Sequence, residues 1–355
     1  MERVSRFSGK RIWFVCDPFL TDLPVISSLM AKLEKNNTLS VFQEVVPDPP
    51  VGKIIEGTAG FLRFKPNVII AAGGGSAIDT AKAVLFFSRK ASGHKIDQFL
   101  AIPTTSGTGS EVTSISVITD PEKKVKYPLA DAALIPDEAL LNAELVVSCP
   151  KSVTAYSGMD VLTHSLEALV ATKATNCSDA FAEKSVQLVL ANLLQCYEDG
   201  TNSEARASMH EASCMAGLAF ENAGLGICHA ISHQLGGHFH LPHGLVNAML
   251  LPHVIAFNSG NATAGKKYAA VARMTGIAPM WCDDHAAVKY LIAEITNLAD
   301  KLDCCRSLTA AGVLKEDSLA ALKEIVENAE KDFTLTGNPI QPAKEEITAL
   351  CLAII

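Results

Sequence analysis

The apolar positions change their spacing part-way along the chain. Up to about residue 150, short apolar runs alternate with segments of helical periodicity. "RIWFVC" (Arg11 to Cys16), "LSVFQEVV", "PNVIIAA", "DQFLAIP" and "VTSISVIT" read as strands, several of them closed by turn signals such as Asp17-Pro18, "PDPP" and "GGGS". Residues from about Asp22 to Lys35 carry a helical pattern. Alternation of this kind implies a mainly parallel sheet with helices on its faces. From about Lys151 onward only helical patterns remain, as in "AFAEKSVQLVLANLL" and "ASMHEASCMAGLAF". The pattern predicts two domains: an α/β domain over 1–150 and an all-helical domain over 151–355.

The 355 residues are 48% hydrophobic, which suits a large buried core and not a disordered chain. No apolar run is long enough to cross a membrane, and "MERVSRFSGKR" lacks the apolar centre of a signal peptide, so a cytoplasmic protein is expected. A net charge of −8 with no basic stripe argues against a nucleic-acid partner. The ten cysteines are scattered without a C-x-x-C, and read as reduced, mostly buried thiols.

Two loops invite a phosphate. "VIIAAGGGSAIDTAKAV" is a strand, three glycines and a helix start, with Ser76 read as the N-cap and Asp79 at the third helical position. Glycines let backbone approach closely, and a helix N-terminus offers free N–H groups and a positive dipole end. The alternative is an ordinary strand-to-helix turn. "IPTTSGTGSEVT" is crowded with hydroxyls and nearly uncharged, which suits phosphate or ribose but also a plain turn. Asp17 ends the first strand, where an acid can bond a ribose 2′-hydroxyl and repel a 2′-phosphate, favouring NAD over NADP. A capping or surface role is the alternative for Asp17.

Six of the ten histidines fall between Gly224 and Asn258. His229 and His233 are four apart, as are Asp160 and His164 in "SGMDVLTHSLEALV", so each pair shares a helix face. His243 follows a Gly-Gly and Pro242. One carboxylate with several imidazoles suits Fe²⁺ or Zn²⁺ and not Mg²⁺ or Ca²⁺.

Together, "GGGSAIDTAKA", "AIPTTSGTGSEVT", "GMDVLTHSLEA" and "GLGICHAISHQLGGHFHLPHG" resemble, in order and spacing, the iron-containing (group III) alcohol dehydrogenases over nearly the whole chain. "KYPLADAALIPDEALLNAELVVSCP" and "HQLGGHFHLPHG" are similar to the branch associated with propanediol-utilising bacterial microcompartments. The resemblance implies the dehydroquinate-synthase-like fold of that family, an NAD(H)-dependent oxidoreductase and a bound Fe²⁺, with Zn²⁺ as the alternative metal. It implies that Asp160, His164, His229 and His243 bind the metal and that His233 takes part in proton transfer. On the cofactor side it implies Asp17, Gly74, Gly75, Ser76, Asp79, Thr104, Thr105, Val117 and Lys126. His238, His240 and His253 match no ligand position. The chain departs from its likeness in two places: Arg11 opens the first strand after a shorter leading segment than in most relatives, and Asp48 stands where many have asparagine.

The implied reaction is hydride transfer between NAD(H) and a small neutral aldehyde or primary alcohol, such as propanal, in the cleft between the two domains. Leu162, Leu166, Ile227, Leu235, Phe239 and Leu241 are expected to line an apolar pocket. Segments 158–172 and 224–258 contain no Arg or Lys, which argues against a phosphorylated substrate and a dehydroquinate-synthase-like lyase. A glycerol-dehydrogenase-like polyol enzyme and a weakly catalytic shell-associated protein are the competing readings. Expected partners are the small substrate, further copies of the chain as a homodimer or larger oligomer, and microcompartment proteins.

Overall fold

The computed structural model describes residues 3–122 and 125–355, apart from the side chains of Ser5, Val125 and Lys126. Contacts divide the chain into two compact units, Met1–Val146 and Val147–Ile355.

The first unit carries strands β1 (Arg11–Cys16), β2 (Thr38–Phe42), β3 (Val68–Gly73), β4 (Gln98–Pro103), β5 (Ile115–Asp120), β6 (Val125–Ala130) and β7 (Glu138–Ala139). Its helices are α1 (Pro24–Glu34), α2 (Val51–Phe64) and α3 (Gly75–Ser92). β2, β1, β3, β4 and β7 form, in that order, a parallel sheet. Every residue of β3 is buried, as a strand covered on both faces requires. Side-chain alternation sends Trp13, Val15, Ile69 and Ala71 into one apolar cluster and Ile12, Phe14, Ile70 and Ala72 into another on the opposite face.

Several details differ from the sequence expectation. β2 stops at Phe42, so "LSVFQEVV" is only half strand. α1 begins at Pro24 after a 3₁₀ turn over Pro18–Asp22. β5 pairs antiparallel with β6, a strand its lysine and proline had hidden; Pro128 sits opposite Val117. A two-stranded sheet has only edge strands, where a residue without an N–H is tolerated. Asp48 adopts a left-handed φ of 50°, a conformation that Asn and Asp accept more readily than other side chains.

Among the described residues the second unit holds helices and no strand: α4 (Lys151–Val170), α5 (Asn176–Glu198), α6 (Ser203–Ala223), α7 (Ile227–Phe239), α8 (His243–Asn258), α9 (Ala262–Met274), α10 (Asp284–Lys301), α11 (Lys315–Ala329) and α12 (Lys344–Leu352). Among the described residues no single helix is long and apolar enough to cross a membrane; α6 and α7 are separated by a bend of 110° at Gly224, whose φ is 88°. Leu162, Leu166, Ile227 and Leu235 are buried in the apolar core of this unit. They pack helices together, which corrects their assignment to a pocket lining; only Phe239 and Leu241 are partly exposed. Five of the ten free cysteines are buried and Cys177 is exposed, fewer buried thiols than expected.

Candidate metal centre and cofactor loops

Helical spacing puts Asp160, His164 and Glu167 on one face of α4, and each is buried. α7 starts opposite them in an unusual way. Its N-cap, Gly226, offers no side chain. The first free N–H groups are taken instead by distant residues: Ile227 N donates to Asn338 Oδ1 (3.2 Å) and Cys228 N donates to Glu167 Oε1 (2.7 Å). A Cβ on Gly226 would lie 2.7 Å and 2.9 Å from those acceptors, so glycine is required there. α8 begins at His243, and the next residue, Gly244, lies against the backbone of α4; a Cβ on it would stand 1.9 Å from Tyr156 O.

These elements bring Asp160, His229 and His243 together, with one ligand atom from each lying within 4.8 Å of the others. Nε2 of His229 and Nε2 of His243 are each 3.6 Å from Asp160 Oδ1. His164 sits at the margin of this group. Its Nε2 is 3.9 Å from the same oxygen, its Nδ1 is buried with no hydrogen-bond partner, and its ring stacks between Phe220 and His229. The donor set of one carboxylate and imidazole nitrogens fits a divalent iron or zinc ion, and Nε2 of His164 faces the same Asp160 oxygen at 3.9 Å.

Three residues that sequence spacing did not single out complete the arrangement. Glu167 Oε2 lies 2.5 Å from His229 Nδ1. Asn247 Nδ2 donates to Asp160 Oδ1 at 2.7 Å. Asp332 Oδ2 lies 2.9 Å from His233 Nδ1 and also accepts from Gln234 Nε2, while the ring of Phe333 stacks against His233. The His233 ring in turn stacks on His243 at 5.2 Å. The i,i+7 position of Glu167 relative to Asp160 and the i,i+4 position of Asn247 relative to His243 were usable signals; Asp332 had none. His238, His240 and His253 are exposed and join no part of this cluster.

The electrostatics are those of mutually compensating buried groups. Burial alone would raise the Asp160 carboxyl, but His164, His243 and His229 outweigh it and hold the group well below the ordinary range. Burial drives His164 down to about 4 against the pull of Asp160. His229 resists burial because Asp160 and Glu167 both bond it, and rises to about 9.

In the first unit the two predicted loops meet. Thr104 N donates to Gly73 O at 2.9 Å, and a Cβ on Gly74 would touch Thr105 at 3.4 Å. The Asp17 carboxylate accepts from Gly74 N–H and is pushed upward chiefly by burial. The N-cap of α3 is Gly74 and not Ser76, which sits within the first turn. This is a correction: with extended φ,ψ already at Gly74, Ser76 is helical. Both Asp79 carboxylate oxygens are used inside the protein, by Ser110 Oγ (2.6 Å) and Val117 N (3.0 Å). Lys126 lies on β6 opposite Thr119, and its side chain is outside the described residues.

Comparison with known proteins agrees over both units. Residues 1–143 match the family described as iron-containing alcohol dehydrogenase, and residues 154–355 match its C-terminal domain. The 1-propanol dehydrogenase PduQ of Salmonella typhimurium is 48% identical over 97% of this chain and 92% of its own length. The NADPH-dependent butanol dehydrogenase of Clostridium saccharobutylicum is 38% identical over 87% of this chain and 82% of its own. A crystal structure of a 1,3-propanediol oxidoreductase superposes with a TM-score of 0.91 at 32% identity, covering 100% of this chain and 94% of that one. The chain belongs to the iron-containing alcohol dehydrogenase family.

Proposed function

We propose that this family member reduces small neutral aldehydes such as propanal to primary alcohols with NADH, and catalyses the reverse oxidation with NAD⁺. The observation that carries the reading is the convergence of Asp160, His229 and His243 within 4.8 Å. With His164, they would hold the metal. Bound there, Fe²⁺ supplies Lewis-acid polarisation of the substrate oxygen.

The chain's own residues do the rest. Glu167 fixes the His229 ring through Nδ1, so that Nε2 faces Asp160. Asn247 holds the Asp160 carboxylate. Asp332 accepts a hydrogen bond from Nδ1–H of His233, which leaves Nε2 as the nitrogen with a free lone pair in the neutral ring. His233 is accordingly the residue proposed to pass the proton to and from the substrate oxygen. Phe220 and Phe333, stacked on His164 and His233, give the neighbourhood apolar faces. No Arg or Lys occurs in segments 158–172 and 224–258, and a substrate carboxylate or phosphate left unpaired there would be costly.

On the cofactor side, Asp17, the glycine turn at Gly74 and Gly75, Ser76, Thr104, Thr105, Val117 and Lys126 are proposed to receive NAD(H). The same proposal includes a cytoplasmic homo-oligomer housed with bacterial microcompartment proteins; the likeness of residues 126–150 and 233–244 to that branch and the 48% identity to PduQ support it.

A steady-state panel at one pH tests the reading. kcat/KM for propanal or ethanal with NADH should exceed that for glycerol with NAD⁺, and for any carboxylated or phosphorylated aldehyde, by at least about tenfold. Faster turnover of glycerol or an acidic aldehyde overturns it.

A further inference from the structure

The first unit buries a lysine. Lys82, on α3, is 0% exposed. Its Nζ donates to three backbone carbonyls, those of Ser110 (2.5 Å), Thr113 (2.7 Å) and Ile115 (2.9 Å), and lies 3.2 Å from Thr113 Oγ1. A buried ammonium is tolerated only when such acceptors surround it. All of these acceptors belong to one stretch of chain, the end of the hydroxyl-rich loop and the start of β5.

Asp79, one turn earlier on the same helix, holds that stretch at separate points. It accepts from Ser110 Oγ and from Val117 N, and its backbone carbonyl accepts from Ser116 Oγ at 2.8 Å. The loop then runs back along the glycine turn. Ser110 N donates to Thr108 Oγ1, and Thr108 fills the space where a Cβ on Gly75 would stand, 2.7 Å from its methyl carbon. Thr105 lies against Gly74, and Thr104 N bonds Gly73 O. A loop this rich in Gly, Ser and Thr is entropically costly to order, so a fixed scaffold beneath it changes what a ligand must supply on binding.

We infer that Lys82 and Asp79 are positioning residues for the dinucleotide: without touching it, they clamp the loop from Thr104 to Ile115 onto the glycine turn and so preform its donors. This rests on the cofactor reading above and gives Asp79, expected from the family resemblance to contact the cofactor, the part of a clamp instead.

The test compares the iron-loaded wild type with Lys82→Met and Ser110→Ala. Ser110→Ala removes one link to Asp79 and leaves the lysine contacts in place. Direct NADH titration by fluorescence, aldehyde KM at saturating NADH, and iron content are read for each. The NADH Kd should rise at least about tenfold in Lys82→Met and about fivefold in Ser110→Ala, with aldehyde KM and iron content within about twofold. An unchanged NADH Kd in a folded variant, whatever its melting temperature, overturns the inference. So does a parallel loss of iron, because that reports general damage. If Lys82→Met does not fold, Ser110→Ala decides by the same criteria. A wild type that binds no NADH overturns the cofactor reading itself, and the clamp with it.

Discussion

Nδ1 of His229 lies 2.5 Å from Oε2 of Glu167, and both side chains are 1% exposed. The pair fixes which nitrogen of the imidazole faces Asp160. Glu167→Gln keeps the shape and removes the charge, and metal affinity should fall about tenfold or more, as for other partners of metal-bound histidines. Competition against a chromogenic chelator measures it. His243→Ala removes a ligand outright, and should abolish metal retention together with turnover; full metal occupancy in that variant would refute its place in the centre.

Asp17→Gly addresses cofactor choice. The carboxylate beside Gly74 should repel a 2′-phosphate by at least about 1 kcal/mol, and by more in its half-buried setting. The expected change is an improvement in NADPH kcat/KM of at least about fivefold, with NADH little improved. A wild type that already uses NADPH as well as NADH contradicts this account of Asp17.

Gly244→Ala tests the contact between α8 and α4. The added methyl would stand 1.9 Å from Tyr156 O, a backbone atom that cannot turn aside. Overpacking of this kind costs of order 1–3 kcal/mol or more. The unfolding midpoint of the helical unit should fall, and metal affinity should fall with it, because His243 is the adjacent residue. A variant with wild-type stability and metal affinity means that the two helices separate freely.

Glu111 should make stability depend on pH. Burial raises its carboxyl from 4.5 to about 7, against the opposing charge of Lys82. The folded protein therefore keeps a proton that the unfolded chain has already released. The contribution is fully present below pH 4.5, is lost as pH rises towards about 7, and changes no further beyond it. Its size is on the order of 3 kcal/mol. Urea midpoints of wild type and Glu111→Gln across that window should differ in slope, the variant being flatter; parallel curves rule the effect out.

The reach of sequence reasoning followed the range of the interactions. Strand–helix alternation and the i,i+4 pairs are local, and the order of elements and a metal site built on histidines could be anticipated from them; the joining of Asp160 with His229 and His243 was implied by the family resemblance. Asn247 reaches Asp160 across 87 residues and Asp332 reaches His233 across 99, and nothing in the spacing announces either pairing. Leu162 and Leu235 read as pocket residues because they lie two positions from site residues in sequence, yet on a helix positions two apart do not share a face. β6 was missed because "VKYPLA" carries a lysine and a proline in a strand that only an edge position permits.

α7 is pinned from both sides, by Glu167 before it and by Asn338 and Asp332 after it. A ribosome delivers these pins at different times. The carboxylate and imidazoles that converge near Asp160 have all emerged soon after His243, while the bond to Ile227 N and the anchor of His233 wait for Asn338 and Asp332. A nascent chain thus holds its ion-binding donors before it can hold their middle helix still. A chain truncated between His243 and Asp332 would carry every donor but lack the carboxylate that fixes His233.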